Sequence, residues 1–306
     1  MNSSRVSRLL RINRTVSDMA VAVAFYRDAL DFRVVGQATL DGEAWSSLMG
    51  VAKGRGRSVT LRLGAQHMAL VAFDPPGNPY PPRSGSTDLW FQHIAIAVSD
   101  MNAACARLRG HSFEPISRDG PQRLPPADGS VIAYKFRDPD GHPLELIQFP
   151  RNDSSARQEE PAVFLGIDHS AINVADIGSS VDFYTRTLGL SIASRSINSG
   201  RAQQRLDRAA DDLVDVVSVQ PADAGPPHVE LLGYRTPTGL PMPPGMKASD
   251  ILADQLVLQV ENLAHLAGAL RTEKMDIVSP GIVTMSKGRH AMLARDPTGH
   301  LLLFCA

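Results

Sequence analysis

Residues 166–190 read GIDHSAINVADIGSSVDFYTRTLGL, and this stretch holds the pattern that decides the fold. The pattern predicts a short strand that carries His169, then a turn at Asp176, and then an amphipathic helix. The N-terminal stretch LLRINRTVSDMAVAVAFYRDALDF repeats this plan, with Arg11 where His169 stands in the later copy. Shorter copies begin at FQHIAIAVSDM, which carries His93, and at DQLVLQVENL. One supersecondary unit is therefore written four times in the chain.

Matching residues recur at a constant distance, which indicates a tandem duplication. Asp18 recurs as Asp176, and RDPDGHPLELIQF recurs as RDPTGHLLLFCA, in each case 158 positions later. The polar segment RNDSSARQEEPA at 151–162 is typical of a linker. We therefore predict an N-terminal domain at 1–150 and a C-terminal domain at 163–306. Both belong to the α+β class, and each contains two βαβββ units and a mixed sheet curved around a cleft.

The composition argues against several classes of partner. The 306 residues are 43% hydrophobic and 21% charged, which is ordinary for a globular protein of two domains. A net charge of −1 produces no long-range field that would favour nucleic acid or an anionic membrane. The two cysteines are expected to be core thiols, and the N-terminal stretch lacks the apolar segment of a secretion signal. We expect a cytoplasmic protein, a monomer or a homodimer, whose partner is a small-molecule substrate and neither nucleic acid nor a membrane.

Four side chains stand out because they interrupt apolar strands. Glu145 lies in PLELIQF, Glu230 lies in HVELLGY, and His93 and His169 open strands whose neighbours are almost all apolar. A carboxylate or an imidazole in such a strand is costly to bury unless it is paired or ligates an ion. Two imidazoles and two carboxylates form a mixed nitrogen and oxygen site, which suits zinc, nickel, cobalt, manganese or iron(II).

The way in which the units pair decides whether these residues meet. All four lie in the second and third units, and the matching positions of the first and fourth units hold poorer ligands: Arg11, Ala69, Gln255 and Leu303. If the units pair within each half, each cleft holds one histidine and one glutamate, which is a poor site. If the second unit pairs with the third, all four ligands share one cleft, and the other cleft has no metal.

The repeated motifs resemble those of the vicinal oxygen chelate superfamily, also called the glyoxalase/bleomycin-resistance/dioxygenase family. The resemblance covers nearly the whole chain and rests on H-x-A-I-x-V-x-D at 93–100 and 169–176, FY-x₃-LG at 183–189, DPDGHPLEL at 138–146 and VELLGY at 229–234. It implies two glyoxalase-like domains with U-shaped sheets, and ligands from the first and last strands of each paired unit. In four-unit members it also implies pairing of non-sequential units. We therefore predict one divalent metal ion per chain, held by His93, Glu145, His169 and Glu230.

The resemblance implies three kinds of function. Members with two histidine and two glutamate ligands are lyases, such as glyoxalase I, or isomerases, such as epimerases, that stabilise an enediolate of a small oxygenated substrate. Glu145 and Glu230 are then the candidate catalytic groups, and the sequence does not choose between them. An extradiol ring-cleaving dioxygenase with iron(II) is an alternative, although its usual layout takes ligands from the third and fourth units. A metal-free binding protein of the bleomycin-resistance type is another alternative.

Three further residues are candidates for contact with a substrate. Asn173 is expected to face the cleft from the strand of His169, because side chains two residues apart share a face. His228 precedes Glu230 by two residues and shares its face, in either a structural or a substrate-facing role. Gln255 is the third candidate. One polar segment is predicted to be a loop with a solvated basic cluster, which comprises Arg201, Arg205 and Arg208.

Overall fold

A computed structural model describes residues 5–125, 130–150, 162–211, 213–221 and 225–306. Its strands form two mixed sheets, one of eight strands and one of nine. Helices accompany both sheets in four successive repeats of the βαβββ plan, which confirms the predicted α+β class. Among the described residues, no helix combines the length and the apolar character that crossing a membrane requires.

The four units follow one another along the chain. The first unit contains β1 (Val6–Thr15), α1 (Met19–Leu30), β2 (Arg33–Leu40), α2 (Gly42–Met49), β3 (Arg55–Leu63) and β4 (Gln66–Asp74). The second contains β5 (Gln92–Val98), α3 (Met101–Leu108), β6 (Glu114–Pro115), β7 (Gln122–Arg123), β8 (Ile132–Arg137) and β9 (Pro143–Gln148). The third contains β10 (Phe164–Asn173), α4 (Ile177–Asp182), a π-helical turn (Phe183–Thr187), β11 (Ser191–Ser199), α5 (Gly200–Asp207), β12 (Leu213–Gln220) and β13 (His228–Thr236). The fourth contains β14 (Gln255–Val260), α6 (Leu263–Thr272), β15 (Val283–Thr284), a 3-10 turn (Ser286–Gly288), β16 (His290–Arg295) and β17 (Leu301–Cys305).

Each sheet takes strands from both halves of the chain. The order β15-β16-β17-β14-β1-β4-β3-β2 joins the fourth unit to the first. The order β11-β12-β13-β10-β5-β9-β8-β6, with β7 also paired to β8, joins the third unit to the second. At the two junctions β10 pairs antiparallel with β5, and β1 pairs antiparallel with β14. The central units therefore pair with each other, which is the arrangement that brings the four predicted ligands into one cleft. The domain boundary stays a prediction, because residues 151–161 of the linker lie outside the described ones.

The helices begin at the turns that the sequence predicted and pack against the sheets. The Asp176 carboxylate accepts the backbone N–H of Ser179 at the start of α4, and this caps the helix. Tyr26 of α1 and Tyr184 of the π-helical turn are fully buried in one core shared by both sheets. Below that core, the fully buried guanidinium of Arg14 lies 2.8 Å from Asp254.

Two local predictions are wrong. The predicted loop with arginines 201, 205 and 208 contains α5 instead, and its Gln203, Leu206 and Asp207 are buried. The sequence does not predict this helix because its buried face is largely polar and its first residue, Gly200, has a positive φ of 85°. The segment FEPISR at 113–118 predicts a strand of six residues by its sequence, but only two of them form the strand β6.

Helix α5 also joins the two central units. The backbone N–H of Arg118 donates to the Arg205 carbonyl at 2.8 Å, and the Ser117 hydroxyl donates to the Leu206 carbonyl at 3.0 Å. Because α5 belongs to the third unit and these donors belong to the second, the helix covers the cleft between them.

Candidate metal centre

The registers of the sheet between the second and third units place the predicted ligands around two small residues. Ala171 of β10 is paired with one histidine and one glutamate on its neighbouring strands, and Ala95 of β5 has the same kind of pair. The four pairings are His93 and Glu230 with Ala171, and His169 and Glu145 with Ala95. Because alanine has only a methyl group, the space between the ligands remains open.

The ligand atoms lie at distances that suit one small cation. His93 Nε2 is 2.8 Å from Glu145 Oε2, and His169 Nε2 is 3.5 Å from Glu230 Oε2. His93, Glu145 and His169 each offer an atom, and these three atoms all lie within 4.8 Å of one another. Two atoms bound at about 2.0–2.2 Å to the same ion stand about 3.0–3.5 Å apart. The observed separations therefore fit a shared ion, with Glu230 on the side of His169.

The imidazole nitrogens give a second indication of an ion. His93 Nδ1, His93 Nε2 and His169 Nε2 are buried without a hydrogen-bond partner among the described residues. His93 Nε2 nevertheless lies only 2.8 Å from Glu145 Oε2. Buried polar atoms without partners are rare in native proteins. An imidazole nitrogen and a carboxylate oxygen at this separation could both bind one ion.

Asp168 orients His169, and sequence reasoning missed it. Its Oδ2 lies 2.9 Å from His169 Nδ1. The pairing of β10 with β5 shifts register between Ile167 and His169, so Asp168 occupies an irregular position in the strand and lines the same cavity as His169. Strict alternation along the strand would place these two neighbours on opposite faces. A carboxylate at Nδ1 fixes the tautomer that leaves Nε2 available for an ion.

A buried ion pair joins the two central units beside Glu145. Lys135 Nζ of β8 is 2.6 Å from Asp207 Oδ1 at the end of α5, and both side chains are almost completely buried. The other oxygen of Asp207 accepts the Gln203 amide at 2.6 Å and the Tyr234 hydroxyl at 2.7 Å. The signal for this residue was present in the sequence, because Lys135 interrupts the apolar strand VIAYKFRD.

Neighbouring positive charges keep both carboxylates ionised. Burial opposes ionisation of Glu145, but the Lys135 ammonium and His93 hold its pKa at about 2. Burial also opposes ionisation of Glu230, but His169 and other imidazoles hold its pKa well below its usual range. The centre therefore presents two anionic carboxylates at neutral pH, as a divalent cation requires.

The two imidazoles differ in charge. Burial would lower the pKa of His169, but Glu230 and Asp168 outweigh it and raise the pKa to about 9. Burial lowers the pKa of His93, and the Lys135 ammonium lowers it further. Without an ion, His93 is neutral at neutral pH and His169 carries a proton. A metal ion at this centre would take the place of that proton.

The centre opens into a cavity of about 520 Å³ beneath α5. Apolar side chains from both central units line it together with the charged groups. The Glu230 side chain is 20% exposed, whereas that of Glu145 is 8% exposed. Glu230 is therefore the carboxylate more accessible to a molecule in the cavity. A cavity of this size admits one small molecule.

The three further candidates have different positions. His228 lines this cavity, with Nε2 at 3.4 Å from Glu230 Oε1. Asn173 does not reach the cavity, because its amide donates to the carbonyls of Ser86 and Asp88 at 2.8 and 2.9 Å and is covered by that loop. Gln255 lies in the other sheet, where it accepts the amide of Asn13 at 3.2 Å.

The cleft between the first and fourth units lacks the ligand set. Its strand registers place Arg11 at the position of His169 and Ala69 at that of Glu230. They place Gln255 at the position of His93 and Leu303 at that of Glu145. Among the described residues, the groups of three potential metal ligands all lie in the other cleft. The arrangement therefore fits one metal centre per chain.

Comparison with known proteins identifies the family. The family model described as Glyoxalase/Bleomycin resistance protein/Dioxygenase superfamily matches residues 8–146 and 166–304. The uncharacterised protein YaeR of Escherichia coli (strain K12) is 32% identical over 135 residues, which are 43% of this chain and 88% of that protein. Glyoxalase I of Saccharomyces cerevisiae is 31% identical over 110 residues, which are 35% of this chain and 30% of that protein.

Solved structures share the fold over the whole chain. Glyoxalase I from Zea mays superimposes with a TM-score of 0.63 at 15% identity, covering 99% of this chain and 92% of that one. A putative dioxygenase from Bacillus subtilis superimposes with a TM-score of 0.60 at 12% identity, covering 99% and 86%. With both halves matched by the family model, the chain belongs to the Glyoxalase/Bleomycin resistance protein/Dioxygenase superfamily.

Proposed function

We propose that the protein is a divalent-metal-dependent lyase or isomerase that acts on a small substrate with two neighbouring oxygen atoms. The observation that carries the proposal is the convergence of His93, Glu145, His169 and Glu230 in one cavity, with imidazole nitrogens buried and unpartnered. These four residues would hold one ion, and their nitrogen and oxygen atoms suit zinc, nickel, cobalt, manganese or iron(II). Glyoxalase I among the relatives supports this class of reaction.

A divalent cation held by these residues would polarise a carbonyl and would stabilise the negative charge that develops when the neighbouring C–H loses its proton. The two glutamates are suited to different tasks in such a reaction. The Glu145 carboxylate contacts His93, and the charge of Lys135 stabilises its ionised form. Because its side chain is nearly buried, we assign it the role of a fixed ligand. Glu230 keeps Oε1 near Ser218 and His228, at 3.0 and 3.4 Å, and directs Oε2 towards His169.

Glu230 is therefore the group to which we assign proton transfer. Its carboxylate is ionised and exposed to the cavity, so it takes the proton from carbon as a general base. The same carboxyl group then returns the proton to the adjacent carbon, so the reaction needs no oxidant or reductant. Gln203 and Leu206 of α5 and the side chain of Lys135 form part of the wall of this cavity.

Elemental analysis after purification without chelator tests the metal, and proton NMR in deuterium oxide tests the chemistry. We expect one ion per chain and incorporation of solvent deuterium into α-hydroxy ketones. At saturating metal, Glu230→Gln should lower the exchange rate about 10²–10⁴-fold, whereas Glu114→Gln, on the exposed strand β6, should leave it unchanged. Two ions per chain would refute the single centre, and no bound metal would favour a metal-free binding protein.

An extradiol-type dioxygenase is the second candidate, because one observation favours it. The group of three with mutually close ligand atoms comprises two histidines and one carboxylate, His93, His169 and Glu145. This is the set that non-haem iron(II) oxygenases use. Oxygen uptake by the iron-loaded protein with catechols would support this function, and its absence, together with deuterium exchange, would support the lyase or isomerase.

A further inference from the structure

The cleft between the first and fourth units contains a cavity of about 410 Å³. Apolar side chains form most of its wall, among them Trp45, Leu48 and Met49 from α2. Its charged and titratable side chains are those of Arg11, Arg289, His290 and Cys305, and Ala306, the last residue of the sequence, also lines the cavity. Among the described residues, the lining includes no aspartate or glutamate side chain. The cavity therefore combines an apolar wall with two guanidinium groups.

Arg11 is held in a defined orientation inside this cavity. Its Nε donates to Asn13 Oδ1 at 2.9 Å, and the Asn13 amide donates in turn to Gln255 Oε1 at 3.2 Å. The Gln255 amide nitrogen donates in turn to the Met49 sulfur at 3.6 Å. Because only Nε is used in this chain of bonds, the two terminal nitrogens of Arg11 have no hydrogen-bond partner among the described residues. The guanidinium therefore presents two parallel donors to the cavity.

Arg11 differs in its ionic contacts from a second arginine on the same strand. Arg14 lies 2.8 Å from the Asp254 carboxylate. No ion pair of the described residues includes Arg11, and burial, reinforced by the charge of Arg289, lowers its pKa. A partly buried cation without a counter-ion is unfavourable. An anionic ligand would remove this unfavourable interaction.

We propose that this cleft binds a small amphipathic carboxylate, with the carboxylate on the terminal nitrogens of Arg11 and the apolar body against Trp45, Leu48 and Met49. The planar pair of carboxylate oxygens matches the guanidinium fork in two parallel hydrogen bonds. The apolar wall favours a single charge on a hydrophobic body over a compact dianion such as phosphate. Arg289 is exposed, lines the same cavity and adds a second positive charge to it. This inference is independent of the function proposed for the metal centre.

Calorimetric titration tests the charge requirement with phenylacetate and octanoate as probes. Phenylacetamide and octanamide match their shapes without the charge and should bind at least about tenfold more weakly. Arg11→Met should weaken carboxylate binding about 10–100-fold, which corresponds to the loss of charge-assisted hydrogen bonds. Arg8→Met is the matched control, because Arg8 is exposed on the same strand outside the cavity. Equal binding of acids and amides, or an equal loss in Arg8→Met, would overturn the proposal.

A second measurement uses the natural sequence and does not depend on the folding of a variant. Cys305 lines the cavity, whereas Cys105 lies on α3 outside it, and both are half-buried. Phenylacetate and octanoate should slow the modification of Cys305 by a thiol reagent and leave that of Cys105 unchanged. Absence of protection by both probes, or equal protection by inorganic phosphate, would refute an amphipathic carboxylate site.

Discussion

Asp168→Asn should weaken metal binding although it removes no ligand. The carboxylate accepts the Nδ1 proton of His169 at 2.9 Å, which leaves the lone pair on Nε2. An asparagine amide can turn its NH₂ towards Nδ1, and the imidazole proton would then sit on Nε2, where the ion should bind. Loss of such a carboxylate partner typically lowers metal affinity about 10–100-fold, or about 1.4–2.7 kcal/mol.

The size of this effect should depend on pH, because Asp168 also affects the competing proton. His169 has a pKa of about 9, so at pH 7 a metal ion must displace a proton, which lowers its apparent affinity about 100-fold. Asp168 is one of the groups that raise this pKa, so its replacement weakens the competing proton as well. The deficit of Asp168→Asn is therefore expected in full above pH 9 and should shrink towards pH 7.

Competition with a chelator, using nickel or cobalt at a series of pH values, measures both quantities. Asp215→Asn is the matched control, because the side chains of Asp168 and Asp215 are both 18% exposed and Asp215 pairs with Arg235 away from the cavity. Asp168→Leu copies Leu10, which occupies the equivalent position of the first unit, and should lose at least as much affinity. An affinity of Asp168→Asn within twofold of the natural protein above pH 9 would refute the assigned role.

Three further predictions concern the stability of the fold and are measured by urea denaturation. Lys135→Met leaves the Asp207 carboxylate buried without its cation and should lower the free energy of unfolding by about 3–5 kcal/mol. The double variant with Asp207→Leu should recover part of this loss, and a double variant less stable than Lys135→Met would contradict the buried-charge argument. Burial opposes ionisation of Asp138, but His142 lowers its pKa from 3.8 to about 2, so ionised Asp138 should stabilise the fold by about 2 kcal/mol above pH 4 and lose this contribution as the pH falls towards 2. Asp138→Asn should reduce the loss of stability between pH 4 and pH 2, and an unchanged loss would contradict the assignment. Arg14→Ile leaves its carboxylate partner buried without a cation and should cost about 3–5 kcal/mol, whereas Arg8→Met should stay close to zero.

The sequence was most informative where a feature depends on repetition and on strand register alone. Glu145 and Glu230 were recognisable as candidate ligands because each interrupts an apolar strand, and the observed registers place both beside an alanine in one cleft. Asn173 shows the limit of this reasoning, because the contacts of its side chain depend on a loop that is remote in sequence. Alternation predicts its face of the strand, yet the carbonyls of Ser86 and Asp88 capture its amide.

The features that escaped prediction depend on irregular backbone or on contacts between units. Asp168 reaches His169 because β10 is irregular at this point, and no periodic pattern encodes that irregularity. Lys135 was visible as a polar residue in an apolar strand, but its partner Asp207 lies on a helix with a mostly polar buried face. The helix is polar overall, and Leu206 is the apolar member of its three buried residues, so an apolar stripe does not mark it in the sequence.

The pairing of the units and the assignment of the two clefts support each other. If units had paired within each half, each cleft would hold one histidine and one glutamate, and neither would bind a metal well. The observed order instead places all four predicted ligands in one cleft and leaves Arg11 at the position of His169 in the other. One backbone position thus presents an imidazole, which suits a cation, in one cleft and a guanidinium, which suits an anion, in the other. Because the two clefts share a fold and differ in these side chains, we expect a metal cation in one and a carboxylate in the other. Each can be tested while the other cleft is left intact.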